Sequence, residues 1–154
     1  MNPREDGPKR VVTGRLVKVL THRRTDRGMR LQEYAARCVL RGQVHELVTT
    51  DQWDPAPGAR IDRVGFLGFA ELECGGVLDR GDTLVIGGCD VGTVLGFDGC
   101  HLPNHLNILV HTARPLTGPD LGLRPEAPVA FHQGPPLAAD AHAAAGRTAL
   151  PAHP

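Results

Sequence analysis

Apolar and polar residues alternate along Val11–Arg23, where Val12, Leu16, Val19 and Leu20 stand among Thr, Arg and Lys, and this predicts a β-strand. Thr25-Asp26-Arg27-Gly28 is a turn signature, with Gly28 able to take a positive φ. Met29–Leu40 fits either helical or strand spacing, and its length and the closing Arg41-Gly42 favour strand. In Gln43–Thr50, Val44, Glu46 and Val48 share one face and His45, Leu47 and Thr49 the other, a pattern too mixed to orient. Asp51–Gly58 is a loop by its prolines and acids, and its Trp53 is expected to close one end of the core. Val64–Glu73 has strand length and apolarity, with Gly65 and Gly68 marking bulges or close backbone approaches. Thr83–Ile86 and Val91–Asp98 follow as strands launched by the Gly81-Asp82 and Gly87-Gly88 turns.

Beyond Ala113 prolines crowd the chain, and Val129-Ala130-Phe131 is the last segment expected to return as a strand. Residues 133–154 hold too little apolar surface to offset the entropy of ordering, so a disordered Pro/Ala-rich tail is expected there. Residues 1–10 read as a flexible lead-in, which leaves 11–132 as the folded unit. Short strands between Gly and Pro turns point to an all-β chain, a small single-domain β-barrel. The Gly81-Asp82 turn with its following strand resembles the turn of small β-barrels such as the second domain of translation GTPases, and that likeness carries no function.

Composition narrows the function classes. The 154 residues suit one domain, and 17 basic residues balance 17 acidic ones. That balance gives no electrostatic footprint for nucleic acid, and one Trp, one Tyr and four Phe offer little base-stacking surface. No apolar run reaches the roughly 20 residues of a membrane span. The polar start, Met1–Arg10, lacks an apolar signal region, so a cytoplasmic location is expected. Cys38, Cys74, Cys89 and Cys100 form no CxxC pair and are expected to stay reduced, Cys38 and Cys74 as small core residues.

Candidate chemistry concentrates in Gly96–Ile108, which holds Asp98, Cys100, His101, Asn104, His105 and Asn107 between two strand-like runs. Alternation places Val91, Thr93, Leu95 and Phe97 on a core face of the first run, and Gly92, Val94, Gly96 and Asp98 opposite. The two glycines leave space beneath the aspartate for a ligand or a closely packed strand. His111 lies about 20 Å along an extended strand from His105 and falls outside any shared site. His101 and His105 flank Leu102-Pro103-Asn104 in a connection longer than an ordinary hairpin loop, and they can converge.

Two chemistries fit. In the leading one, Asp98, His101, Asn104 and His105 carry acid–base catalysis of the isomerase or lyase type on a small-molecule ligand, with Asp98 orienting a ring. Arg37, His45 and Asn107 are then the substrate-binding candidates, Arg37 as a clamp for a carboxylate. In the other, His101, His105 and His45 bind a divalent transition metal, with Asp98 or Cys100 in reserve. A third class is a non-catalytic accessory barrel that docks on a partner or forms a homo-oligomer. Pro103–Asn107 lacks the glycine and the paired HxH strand of a cupin motif.

Val64–Phe69, the Gly81-Asp82 turn and Gly96-Phe97-Asp98-xx-His101-x-Pro103-Asn104-His105-x-Asn107-Ile108 together resemble a family of small bacterial β-rich proteins of unknown function. The likeness spans about residues 11–132. It implies a compact β domain whose polar loop is a family feature, and it transfers no catalytic role.

Overall fold

The computed structural model describes residues 7–135 and Leu137. Among the described residues twelve strands follow one another: β1 Val12–Val19, β2 Arg23–Arg24, β3 Met29–Arg30, β4 Ala36–Val39, β5 Val44–Thr50, β6 Arg60–Ile61, β7 Val64–Leu72, β8 Gly76–Asp79, β9 Thr83–Ile86, β10 Cys89–Asp98, β11 Asn107–His111 and β12 Pro128–His132. The one helical element among the described residues is a single 3-10 turn, Pro119–Leu121. No helix there is long and apolar enough to cross a membrane.

Seven strands follow one another in the order β1-β12-β9-β10-β11-β5-β7, and β7 pairs back onto β1, so the sheet closes on itself. Every neighbouring pair in the ring is antiparallel except β5–β11, which is parallel. The all-β expectation therefore holds, and closure removes the free edges that an open sheet would present. Register shifts at Leu16/Lys18, Leu47/Val48, Asp90/Gly92 and Val94/Gly96 supply the bends a small ring needs. Close approaches at the two glycines of β7 are likewise present: a Cβ on Gly65 would lie 2.4 Å from the Leu116 carbonyl oxygen, and one on Gly68 2.2 Å from that of Lys18.

The interior is filled by Leu16, Leu47, Leu67, Leu84, Phe97, Ile108, Val110 and Phe131, among others. A second apolar cluster lies on the outer face of β5, β7, β10 and β11, where Val48, Phe66, Leu95 and Leu109 are covered by Met29, Leu31, Ile61 and Leu137. The short β3–β6 pair, with Leu31 and Leu137, thus acts as a lid over the outer surface of these four strands. This layer explains a departure from the expected alternation in β10. Leu95 is the extra residue of the Val94/Gly96 bulge and joins the outer cluster, while Val94 and Phe97 both join the inner one. The space left by Gly96 is taken by Leu31, whose Cδ2 would be 2.9 Å from an added Cβ, so it admits a packed segment and no ligand.

Met29–Leu40 forms two short strands, β3 and β4, that pair with different partners, β6 and β8. Trp53 closes no core; it is 48% exposed and meets the His111 ring edge-on. Cys38 is exposed and is not the core residue expected, whereas Cys74 is half-buried and packs against the interior cluster. Lys9, within the expected lead-in, pairs with Asp79 and Asp82. Leu137, within the expected tail, is only 5% exposed, and residues 136 and 138–154 lie outside the described residues.

Candidate functional site

Strand register builds the site. Asp98 on β10 stands beside Asn107 on β11, Asn107 beside Glu46 on β5, and Glu46 beside Phe69 on β7. Glu46 and Val48 are two residues apart on one strand, as are Asn107 and Leu109, so each pair projects from the same face. The row Asp98–Asn107–Glu46 is therefore a polar rim at the end of the outer apolar cluster. All three side chains are buried.

Asp98 is fully committed. Its Oδ2 accepts the Arg30 N–H at 2.8 Å, and its Oδ1 accepts the Cys100 N–H and the Asn107 Nδ2–H, both at 3.0 Å. Burial pushes its carboxyl up, but hydrogen bonds from the Cys100 thiol, the Arg30 and Cys100 amides and the Asn107 amide hold it below the ordinary carboxylate range. The same arrangement, with burial first, pushes the Cys100 thiol up, against the opposing effect of Arg27, and so disfavours the thiolate a metal or an electrophile would need. Asp98 ties the lid, the loop and the neighbouring strand together.

The loop from Gly99 to Leu106 folds back over this rim. Asn104 and His105 donate their N–H groups to the His101 carbonyl, which brings the His101 and His105 rings into a stack with centroids 4.8 Å apart. His105 is buried, its ring edge-on to Phe69. Its Nδ1 accepts from Asn104 Nδ2 at 2.8 Å, and its Nε2–H donates to Glu46 Oε1 at 3.2 Å. The carboxylate that orients this imidazole is thus Glu46, which the mixed pattern of Gln43–Thr50 had left without a direction. His101 is exposed, and Arg27 Nη2 donates to its Nε2 at 2.8 Å and to the Cys100 sulfur at 3.4 Å.

Glu46, His101 and His105 each offer a donor atom, and the three atoms lie within 4.8 Å of one another. His45 is not part of this group: it projects from the opposite face of β5, the face that carries Leu47 into the interior. His45 and Arg37, the expected substrate contacts, instead line a cleft of about 200 Å³ together with Gln43, Leu102 and Asn104. Neither Asp98, His101 nor His105 lines it. Asn104 alone touches both places, since its amide also holds His105.

Both nitrogens of His45 are committed: Nδ1 accepts the Leu106 N–H at 3.0 Å and Nε2–H donates to Gln43 Oε1 at 3.1 Å. Burial, then the charges of His105 and Arg37, hold its pKa below the ordinary histidine value of 6.5. The unfolded chain therefore binds this proton first as pH falls, so stability rises with pH across the window below 6.5. Neutral His45 contributes fully above that window, and its contribution is lost as pH drops through the folded value. Urea midpoints are expected to fall between pH 7 and pH 5, and His45→Gln to flatten that slope; an equal slope in both proteins would remove His45 as the cause.

The buried acceptor Asn107 Oδ1 has no hydrogen-bond partner, although Nδ2 of the same amide donates to Asp98 and to the Cys100 sulfur. Sequence reasoning places Asn107 among ligand contacts and leaves open whether His45 or Glu46 faces the site, which only register decides; it passes over Arg27, for which the path of the β1–β3 segment supplies the signal.

Nothing among curated proteins or solved structures matches this chain. The profile of a family of unknown function, DUF6917, matches residues 6–132. The polar rim and its histidine loop lie wholly within that span, and the chain belongs to the DUF6917 family.

Proposed function

We propose that this domain holds a divalent transition-metal ion between Glu46, His101 and His105 and uses it on a small molecule. The observation that carries the reading is the three donor atoms within 4.8 Å of one another. Donors on one tetrahedral ion, each at about 2.0–2.2 Å, lie about 3.3–3.6 Å apart, so a pair at 4.8 Å closes by roughly 1.2–1.5 Å on binding. His101, exposed on its loop, is the ligand able to move.

Two features of the surroundings favour a cation. Glu46 is 6% exposed and its carboxylate has one hydrogen bond, to His105, which is sparse compensation for a buried charge. Asn107, its neighbour in register, carries the orphaned acceptor oxygen. The contact between Asn104 and His105 Nδ1 suits either state. Turning the amide by half a rotation puts its oxygen at Nδ1, where it accepts the N–H of a metal-ligating imidazole.

A two-histidine, one-carboxylate set leaves positions open, and a bound ion would supply Lewis-acid polarisation or an activated water. Metal-free proton transfer is less well served, because Asp98 is held by three donors and both nitrogens of His105 are taken. The four free thiols, three of them exposed, suit a reducing compartment, and we take the bacterial cytoplasm as the setting.

Protein purified without an affinity tag is expected to carry, or to take up on titration with zinc, cobalt, nickel or manganese, one ion per chain. His101→Ala and His105→Ala are each expected to weaken uptake at least 100-fold while the circular dichroism of the fold persists. Less than a tenth of an equivalent bound under all four metals, or full binding by the double variant, overturns the reading.

A further inference from the structure

Arg27 is a cation placed beside a proposed cation site, and the charges around it leave it uncompensated. It pairs with no carboxylate among the described residues. Its side-chain hydrogen bonds all leave from Nη2, to His101 and to the Cys100 sulfur, so Nη1 and Nε have no protein acceptor there. The backbone that presents it is pinned on both sides: Arg27 N–H donates to the Asp62 carbonyl at 3.1 Å and Gly28 N–H to Asp62 Oδ1 at 2.9 Å. Gly28 takes φ +73 at this turn, the left-handed conformation that glycine adopts without strain.

The nearby anions are spent elsewhere. Asp62 is bound by the Arg60 guanidinium through both carboxylate oxygens, and Asp98 by its three donors. With a divalent ion on Glu46, the site would carry the surplus positive charge of the ion together with that of Arg27. A planar guanidinium with two unspent nitrogens, Nη1 and Nε, beside a metal ligand can donate to an oxyanion.

We propose that the ligand of this site is a small oxyanion that binds the metal ion through one oxygen and Arg27 through another. The proposal rests on the metal reading above and gives its substrate a chemical class: a molecule bearing a carboxylate or phosphate group. Arg27 is the residue that selects for it, and a neutral isostere lacking the anionic group is rejected because the guanidinium would be left facing it unpaired.

The cobalt(II)-loaded protein tests this, since its visible absorption reports the coordination sphere. Titration with acetate and, separately, with inorganic phosphate at constant ionic strength is expected to give a saturable spectral change with at least one of them. The stronger response assigns the anionic group, and acetamide is expected to give none. Arg27→Gln is expected to bind cobalt within about threefold of wild type, because Arg27 is not one of the three metal donors, yet to bind the anion at least tenfold more weakly. Cobalt binding without a response to either anion overturns the oxyanion proposal alone, as does an unchanged response in Arg27→Gln. Failure to bind cobalt at all removes the metal reading and this proposal with it.

Discussion

Glu46→Gln is expected to leave the metal-free fold at least as stable as the wild type and to abolish the stabilisation that zinc confers. Glu46 is a buried carboxylate whose one hydrogen bond goes to His105 at 3.2 Å. The amide has the same shape, keeps an acceptor for the His105 Nε2–H, and removes the cost of holding a charge out of water. It is also a poor ligand for a divalent ion. At free zinc a thousandfold above the dissociation constant, wild type gains about 4.1 kcal/mol by mass action. For a domain of this size that is on the order of 10 °C in melting temperature. The variant is expected to gain less than a quarter of that shift. Thermal unfolding with and without zinc separates the outcomes. An equal zinc shift in both proteins would take Glu46 out of the ligand set. A metal-free variant weakened by several kcal/mol would instead make the Glu46–His105 contact a structural tie of the fold.

The second large effect belongs to the seam that closes the ring. Gly68 sits at φ +153 in β7, and a Cβ there would lie 2.2 Å from the Lys18 carbonyl oxygen of β1, a backbone atom that cannot swing aside. Gly14 faces the same seam from β1, where an added Cβ would lie 2.4 Å from the Glu71 carbonyl oxygen. Gly68→Ala therefore has to part β1 from β7 or distort one of them, and is expected to cost about 3 kcal/mol or more, the upper range for overpacking with added backbone strain. Gly42→Ala is the control: φ is +86 but nothing lies within 4 Å of the added methyl. Its cost is expected to be about 1–2 kcal/mol, the backbone strain alone. Denaturant midpoints measure both, and equal losses would show that the seam tolerates a side chain.

Much of this fold was legible before any coordinates. The strands at Val64–Leu72 and Thr83–Ile86, the return at Val129–Phe131 and the loop that brings His101 to His105 follow from alternation and turn residues, which act locally. Departures occur where a neighbour intervenes. Leu95 faces outward because a bulge breaks the period, and a bulge is a property of two paired strands. Trp53 and Cys38 are not core residues because the apolar layers close without them.

The candidate site divides along the same line. By itself the sequence determined that a polar loop with two histidines joins two strands in an all-β chain, because turn chemistry and periodicity are written in consecutive residues. Which carboxylate serves those histidines was decided only by the tertiary structure. Asp98, nearest in sequence, is consumed by backbone amides, while Glu46 arrives from a strand laid parallel to β11. Arg27 reaches His101 by a contact across 74 residues. Register between strands and the closure of the ring set those meetings, and neither is encoded in any single stretch of the chain.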